Sequence, residues 1–179
     1  AHPMFWLDNK GERPDPFTTI NLSDIEGISP KWRPKDSKFN EYVVKYIRAL
    51  ENNNRYKLTI WPPHCLIGSW GHNVFAPLMD AILFYEDFCT PVQYHIKGTN
   101  PLTEHYSIVK ADVIDENDPN TKVNIELLNK IENADISIFT GEALSHCVAN
   151  TVRDVIAELG ASITKKLVLL EDATSNVPG

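Results

Sequence analysis

Between Ile136 and Glu171 the hydrophobic pattern of this chain changes period twice, and that change leaves few folds open. Ile136, Ile138 and Phe139 mark a short apolar strand ending near Thr140. From Val148 the apolar positions fall at Val152, Val155, Ile156 and Leu159, the spacing of one helix face, and Gly160 stops the helix, which is expected over 145–159. Residues 167–171 form a second apolar strand. Two strands joined by a helix make a parallel, right-handed crossover, and a parallel sheet needs cover on both faces.

The same alternation runs upstream. A helix is expected at 40–51, with Val43, Ile47 and Leu50 on one face, then a strand at 56–61 stopped by Pro62-Pro63. A helix follows at 72–88 with Phe75, Leu78, Met79, Ile82 and Leu83 inward and Pro77 in its first turns. The spacing predicts a strand at 92–97 broken by Gly98, and a helix that Asp118-Pro119 opens and that runs to about Asn133. The expected fold is therefore α/β, a three-layer α/β/α arrangement around a mostly parallel sheet. We expect one domain over 1–179. Its first part, 1–39, is loop-rich (Pro14, Pro16, Pro30, Pro34) with a brief strand at 17–21, and its βα core is 40–179.

A net charge of −7 without a lysine or arginine cluster argues against nucleic acid or an anionic membrane as partner. No apolar run approaches the roughly 20 residues that cross a bilayer, and no secretory signal is visible. Cys65, Cys89 and Cys147 form an odd, sparse set without a paired C-x-x-C pattern, which points to a reducing, cytoplasmic setting. The chain opens at Ala1-His2-Pro3 without methionine and closes on a loop-like Ser175-Asn176-Val177-Pro178-Gly179, so both ends read as cut from a longer protein.

In a doubly wound sheet, ligands bind beyond the carboxyl ends of the strands. That rule is expected to bring His64, Lys97 and Cys147 to one edge. Cys147 stands at a helix start, where the dipole favours a thiolate and hence a nucleophile; the plain alternative is a small buried helix residue. Lys97 is either a solvated charge at a strand tip or a fixed cation beside Cys147. His64, between Pro63 and Cys65, is either a loop histidine or a metal ligand. A zinc site made of His64-Cys65 and His146-Cys147 is disfavoured, because adjacent ligands rarely chelate one ion well. Trp61 and Tyr106 are candidates to pack on a flat aromatic substrate, or else core or rim residues. A sharp turn at Glu142-Ala143 would aim the backbone N–H groups of Ala143 and Cys147 at one point, as an oxyanion hole does.

Together these segments resemble the isochorismatase-like cysteine hydrolases, whose sheet is Rossmann-like, and their nicotinamidase branch most. The W-P-x-H-C element matches Trp61 to Cys65. K-G-x-x-P matches Lys97, Gly98 and Pro101, followed by Tyr106 and Ser107. G-x-A-x-x-x-C-V matches Gly141, Ala143, Cys147 and Val148. The resemblance implies that Cys147 attacks an amide carbonyl and expels ammonia, with Lys97 supporting the negative charge and the N–H groups of Ala143 and Cys147 holding the oxyanion. A thioester then forms and is hydrolysed by water. It also implies that His64 is a ligand of a divalent metal (zinc, iron or manganese) that holds the pyridine nitrogen of nicotinamide. The role would lie in NAD metabolism.

The chain departs from that pattern in lacking a D-x-Q and a D-x-H element before Trp61. The general acid/base and most of the metal ligands are thus missing from it. The expectation is a nicotinamidase-type enzyme in its complete form and an inactive isolated fragment. The alternatives are a hydrolase of another small amide or carbamoyl compound, and a binding domain without turnover. The expected partner is a small-molecule amide, with a homo-oligomer or a complementing N-terminal segment supplying what is missing.

Overall fold

The computed structural model describes residues 3–177, so the readings of Ala1-His2 and Pro178-Gly179 lie outside the described residues. The fold consists of two compact units that divide between His95 and Ile96.

The first unit carries β1 (Trp6–Asp8), β2 (Thr19–Ile20), α1 (Leu22–Ile25), β3 (Trp32–Pro34), α2 (Asn40–Asn53), β4 (Leu58–Thr59) and α3 (Ala76–Phe88). β1 pairs antiparallel with β3, and β2 with β4, Ile20 facing Leu58. The loop-rich opening is therefore more ordered than its prolines suggest. α2 forms as the pattern predicts: Val43, Tyr46, Ile47 and Leu50 are buried, and Asn54 ends it in the left-handed region at φ 56°. Ile20, Leu58 and Ile60 complete this core.

α3 begins four residues later than expected, since residues Trp70–His72 form a separate 3₁₀ turn. Its expected inward face also needs correction. Phe75, Leu78 and Leu83 are exposed, while Met79 and Ile82 are half-buried. The physical reason lies in the pattern: apolar residues run around most of this helix, so no single face is singled out for burial.

The second unit holds α4 (Ile125–Asn133), β5 (Ser137–Glu142), α5 (Ala149–Leu159) and β6 (Leu167–Ser175). β5 and β6 are parallel, with Ile138 opposite Val168 and Phe139 opposite Leu169. The crossover expected from the sequence is thus present, and β6 runs four residues further than predicted. Val109, Leu128, Ile131, Val155 and Ile163 form the buried centre, with Phe139, Ile156, Leu159 and Leu167 packed on it.

Two expectations fail here. Residues 92–97 form no strand: a strand exists through its ladder, and this segment has no ladder partner among the described residues. Asp118-Pro119 opens only the 3₁₀ turn Pro119–Thr121, which the Thr121 hydroxyl closes onto the Asp115 and Asp118 carbonyls. The helix starts after Asn124, whose side chain accepts the Leu127 N–H at 3.1 Å.

Candidate functional site

β5 ends in a backbone that a side chain would strain. Gly141 has φ 106°, and the Glu142–Ala143 peptide is cis. Ala143 is extended, and the chain then enters a π turn, Leu144–Val148, that leads directly into α5. The Ala143 carbonyl accepts N–H groups from His146 at 3.0 Å and from Val148 at 3.1 Å. In a regular α-helix that carbonyl would take the Cys147 N–H. Among the described hydrogen bonds it takes its partners on either side of Cys147 instead. Wide turns of this kind are frequent at functional sites.

Side chains from the next turn of α5 pin this segment. Asn150 Nδ2 donates to the His146 carbonyl at 2.8 Å, and Thr151 Oγ1 donates to the Cys147 carbonyl at 2.8 Å. Thr151 Oγ1 also accepts the Ile108 N–H at 3.2 Å, tying α5 to the connection that follows Lys97.

That connection brings the cation in. Lys97 Nζ lies 3.6 Å from Cys147 Sγ and donates to the His105 carbonyl at 2.8 Å. The Gly98 N–H donates to His105 Nδ1 at 3.4 Å. Burial first and the Lys97 charge second hold the His105 imidazole down at about 4, against the opposing pull of Asp118 and Asp154. The ring is therefore neutral near pH 7, with Nδ1 as its acceptor and the proton on Nε2. Cys147 itself is partly accessible, unlike a core thiol.

Tyr106 is buried, its N–H donating to the Asp112 carboxylate at 3.1 Å and its ring lying 5.8 Å from that of His146. Ser145 Oγ and His146 Nδ1 are hydrogen-bonded at 2.9 Å, and burial lowers the His146 pKa. The second unit thus brings together Cys147, Lys97, Ala143 and Tyr106 from the sequence-based set. It adds His105, Asn150 and Thr151, which the sequence reading missed. Only Thr151 carried a legible signal, standing four residues after Cys147 on the same helix face.

Trp61 and His64 belong to the first unit. Trp61 is half-buried, edge-on to Phe17 at 5.8 Å and 6.3 Å from the His64 ring. His64 Nδ1 donates to the Pro62 carbonyl at 2.7 Å, which leaves Nε2 as the ring's acceptor nitrogen. Among the described residues no group of three His, Cys, Asp or Glu side chains is placed to hold a metal ion. A structural or catalytic metal centre takes three or four protein ligands, so the donors present do not fit one.

No family profile and no curated protein sequence matches this chain. Two solved structures do. The crystal structure of the yeast nicotinamidase Pnc1p bound to the inhibitor nicotinaldehyde aligns with a TM-score of 0.55 at 17% identity, covering 99% of this chain and 65% of that one. A second structure of yeast nicotinamidase Pnc1p aligns with a TM-score of 0.49 at 23% identity, covering 69% of this chain and 50% of that one. The chain thus spans from half to just under two thirds of the length of these solved chains. On the first alignment the chain shares the α/β fold of that structure. Among the described residues no helix is long and apolar enough to cross a membrane.

Proposed function

We propose that this chain is the nucleophile-bearing part of a cysteine-dependent amide hydrolase, and that its substrate is nicotinamide. The observation that carries the reading is the ammonium of Lys97 held 3.6 Å from the Cys147 sulfur at the mouth of a π turn that follows a parallel strand.

Cys147 Sγ adds to the amide carbonyl carbon, and the carbonyl electrons move to oxygen. The N–H groups of Ala143 and Cys147 receive that oxyanion, the second being spared from the Ala143 carbonyl by the π register. Lys97 offsets negative charge on the sulfur and in the intermediate. The C–N bond then breaks, the nitrogen takes a proton and leaves as ammonia, and a thioester remains on Cys147. Water adds to the thioester, and carboxylate and thiol are released.

The proton donor is assigned to polypeptide beyond this chain, as is the rest of a three-layer sheet. The sequence before Trp61 lacks the D-x-Q element of similar enzymes. Acid–base help is worth about 10²–10⁴-fold, so the chain by itself is expected to show little turnover. A complementing N-terminal segment meets that need more simply than a homo-oligomer, because every copy lacks the same element. No step is routed through a metal, since among the described residues His64 belongs to no group of three side chains placed to ligate one. Tyr106, in the same unit as Cys147, is proposed to contact the aromatic ring of the substrate. Three free cysteines support a reducing, cytoplasmic setting.

The missing proton donor also favours a second reading, a binding domain without turnover. Ammonia release from nicotinamide by the complete natural protein, supplied with metal, decides between the two. Release that disappears in Cys147→Ala supports the hydrolase. No release above the Cys147→Ala background overturns it, while release only from other small amides moves the substrate assignment.

A further inference from the structure

A lysine head on four rotatable bonds does not stay beside a sulfur unless something holds it, because ordering such a side chain costs entropy. Here one residue contacts Lys97 at both of its ends. The His105 carbonyl accepts the ammonium at 2.8 Å, and the His105 ring accepts the N–H of Gly98, the peptide group that begins at Lys97, at 3.4 Å. Gly98 takes φ 73°, so the chain turns away immediately after the lysine. The turn between residues 98 and 105 is thereby closed on itself by the imidazole. Where the carbonyl of residue 105 sits follows from that closure.

We propose that His105 is a positioning residue: by accepting the Gly98 N–H, its ring fixes the carbonyl that holds the Lys97 ammonium beside the Cys147 sulfur. The inference rests on the reading of Lys97 and Cys147 as a working pair, and it assigns the maintenance of that pair to a side chain outside it. His105 itself touches neither the sulfur nor a reacting atom in this account. The atom that matters is Nδ1. An asparagine places its carbonyl oxygen where Nδ1 stands, whereas a glutamine carries its oxygen further out, to the level of Nε2.

The test is the rate at which iodoacetamide alkylates Cys147 in the full chain at pH 7, read by mass spectrometry. Cys65 and Cys89 in the same molecules serve as internal references. Lys97→Met is expected to slow Cys147 about tenfold relative to Cys65, the effect of losing one close opposite charge. His105→Leu and His105→Gln are expected to do the same, and His105→Asn is expected to restore the wild-type rate. Should His105→Leu fail to fold, the asparagine and glutamine variants decide by themselves, since a packing role alone would not separate them in that order. Wild-type reactivity in His105→Gln, or equal loss in His105→Asn, overturns the proposal. An unchanged rate in Lys97→Met removes the pair on which it rests, whereas loss in Lys97→Met without loss in His105→Gln overturns the His105 role and leaves the pair standing.

Discussion

Thr151 holds two backbone groups with one hydroxyl, giving to the Cys147 carbonyl and taking from the Ile108 N–H. Thr151→Val keeps the shape and removes both bonds. The expected cost is about 1–3 kcal/mol, measured as a lower midpoint in urea unfolding. His105 makes a second prediction through pH. Its folded value of about 4 lies below the ordinary 6.5, because burial and the Lys97 charge disfavour the imidazolium. Between those two values the unfolded chain binds a proton that the folded chain refuses, so stability rises with pH across that window. It is fully present above about 6.5 and is lost as pH falls toward 4. Lys97, Asp118 and Asp154 are the charged groups that bear on the ring, the aspartates pulling its pKa upward. His105→Asn is expected to flatten this part of the stability profile relative to wild type, as followed by urea midpoints from pH 7 to pH 4.5. Cys147 could be picked from sequence because it stands at a change of secondary structure, and Lys97 because it closes a β-prone stretch broken by Gly98, although no strand forms there. His105 could not, because its role depends on a turn closing across seven residues without a periodic pattern.

Boundaries are where element-level reasoning succeeded and failed. α2 and α5 were legible because each presents a single apolar stripe, and their buried residues include Val43, Ile47 and Leu50, and Val155. α4 was misplaced at its start, since two capping residues compete there. Asp118 accepts the Asn120 N–H and closes a local turn, while Asn124 accepts the Leu127 N–H and starts the helix. Asn124→Ala is therefore expected to cost about 1 kcal/mol of stability, the usual loss of an N-cap, in urea unfolding of the full chain. Residues 92–97 misled for another reason. Their β-prone composition reads as a strand, but pairing is decided by residues far away in sequence, which a local pattern does not report. The π turn was equally invisible, since its hydrophobic spacing matches that of an ordinary first helical turn.

Over the whole molecule the apolar surface is distributed unevenly. On one face of the β5–β6 pair, Ile138, Val168 and Leu170 are 64%, 43% and 44% exposed. A parallel sheet ordinarily has both faces covered. α3 adds Phe84 and Phe88, with ring centroids 5.0 Å apart and both exposed. The sequence anticipated the parallel crossover correctly, because the period change at 136–171 is local. It overstated the regularity of the first unit, whose strand pairs are two or three residues long and antiparallel. The exposed sheet face predicts that the isolated chain binds a fluorescent hydrophobic dye such as ANS. The double substitution Ile138→Thr and Leu170→Thr, which keeps β-prone residues, is expected to reduce that signal without loss of far-UV dichroism. Unchanged dye binding would place the sticky surface elsewhere, with α3 the next segment to vary.

The wide turn at Leu144–Val148 fits one residue more into its loop than an α-helix does. Were the same residues wound instead as a regular α-helix, the Cys147 amide would be drawn onto the Ala143 carbonyl. On the proposed hydrolase reading the protein would then keep its thiol and its lysine and still lose one donor to the oxyanion, so the winding of this stretch matters as much as its chemistry.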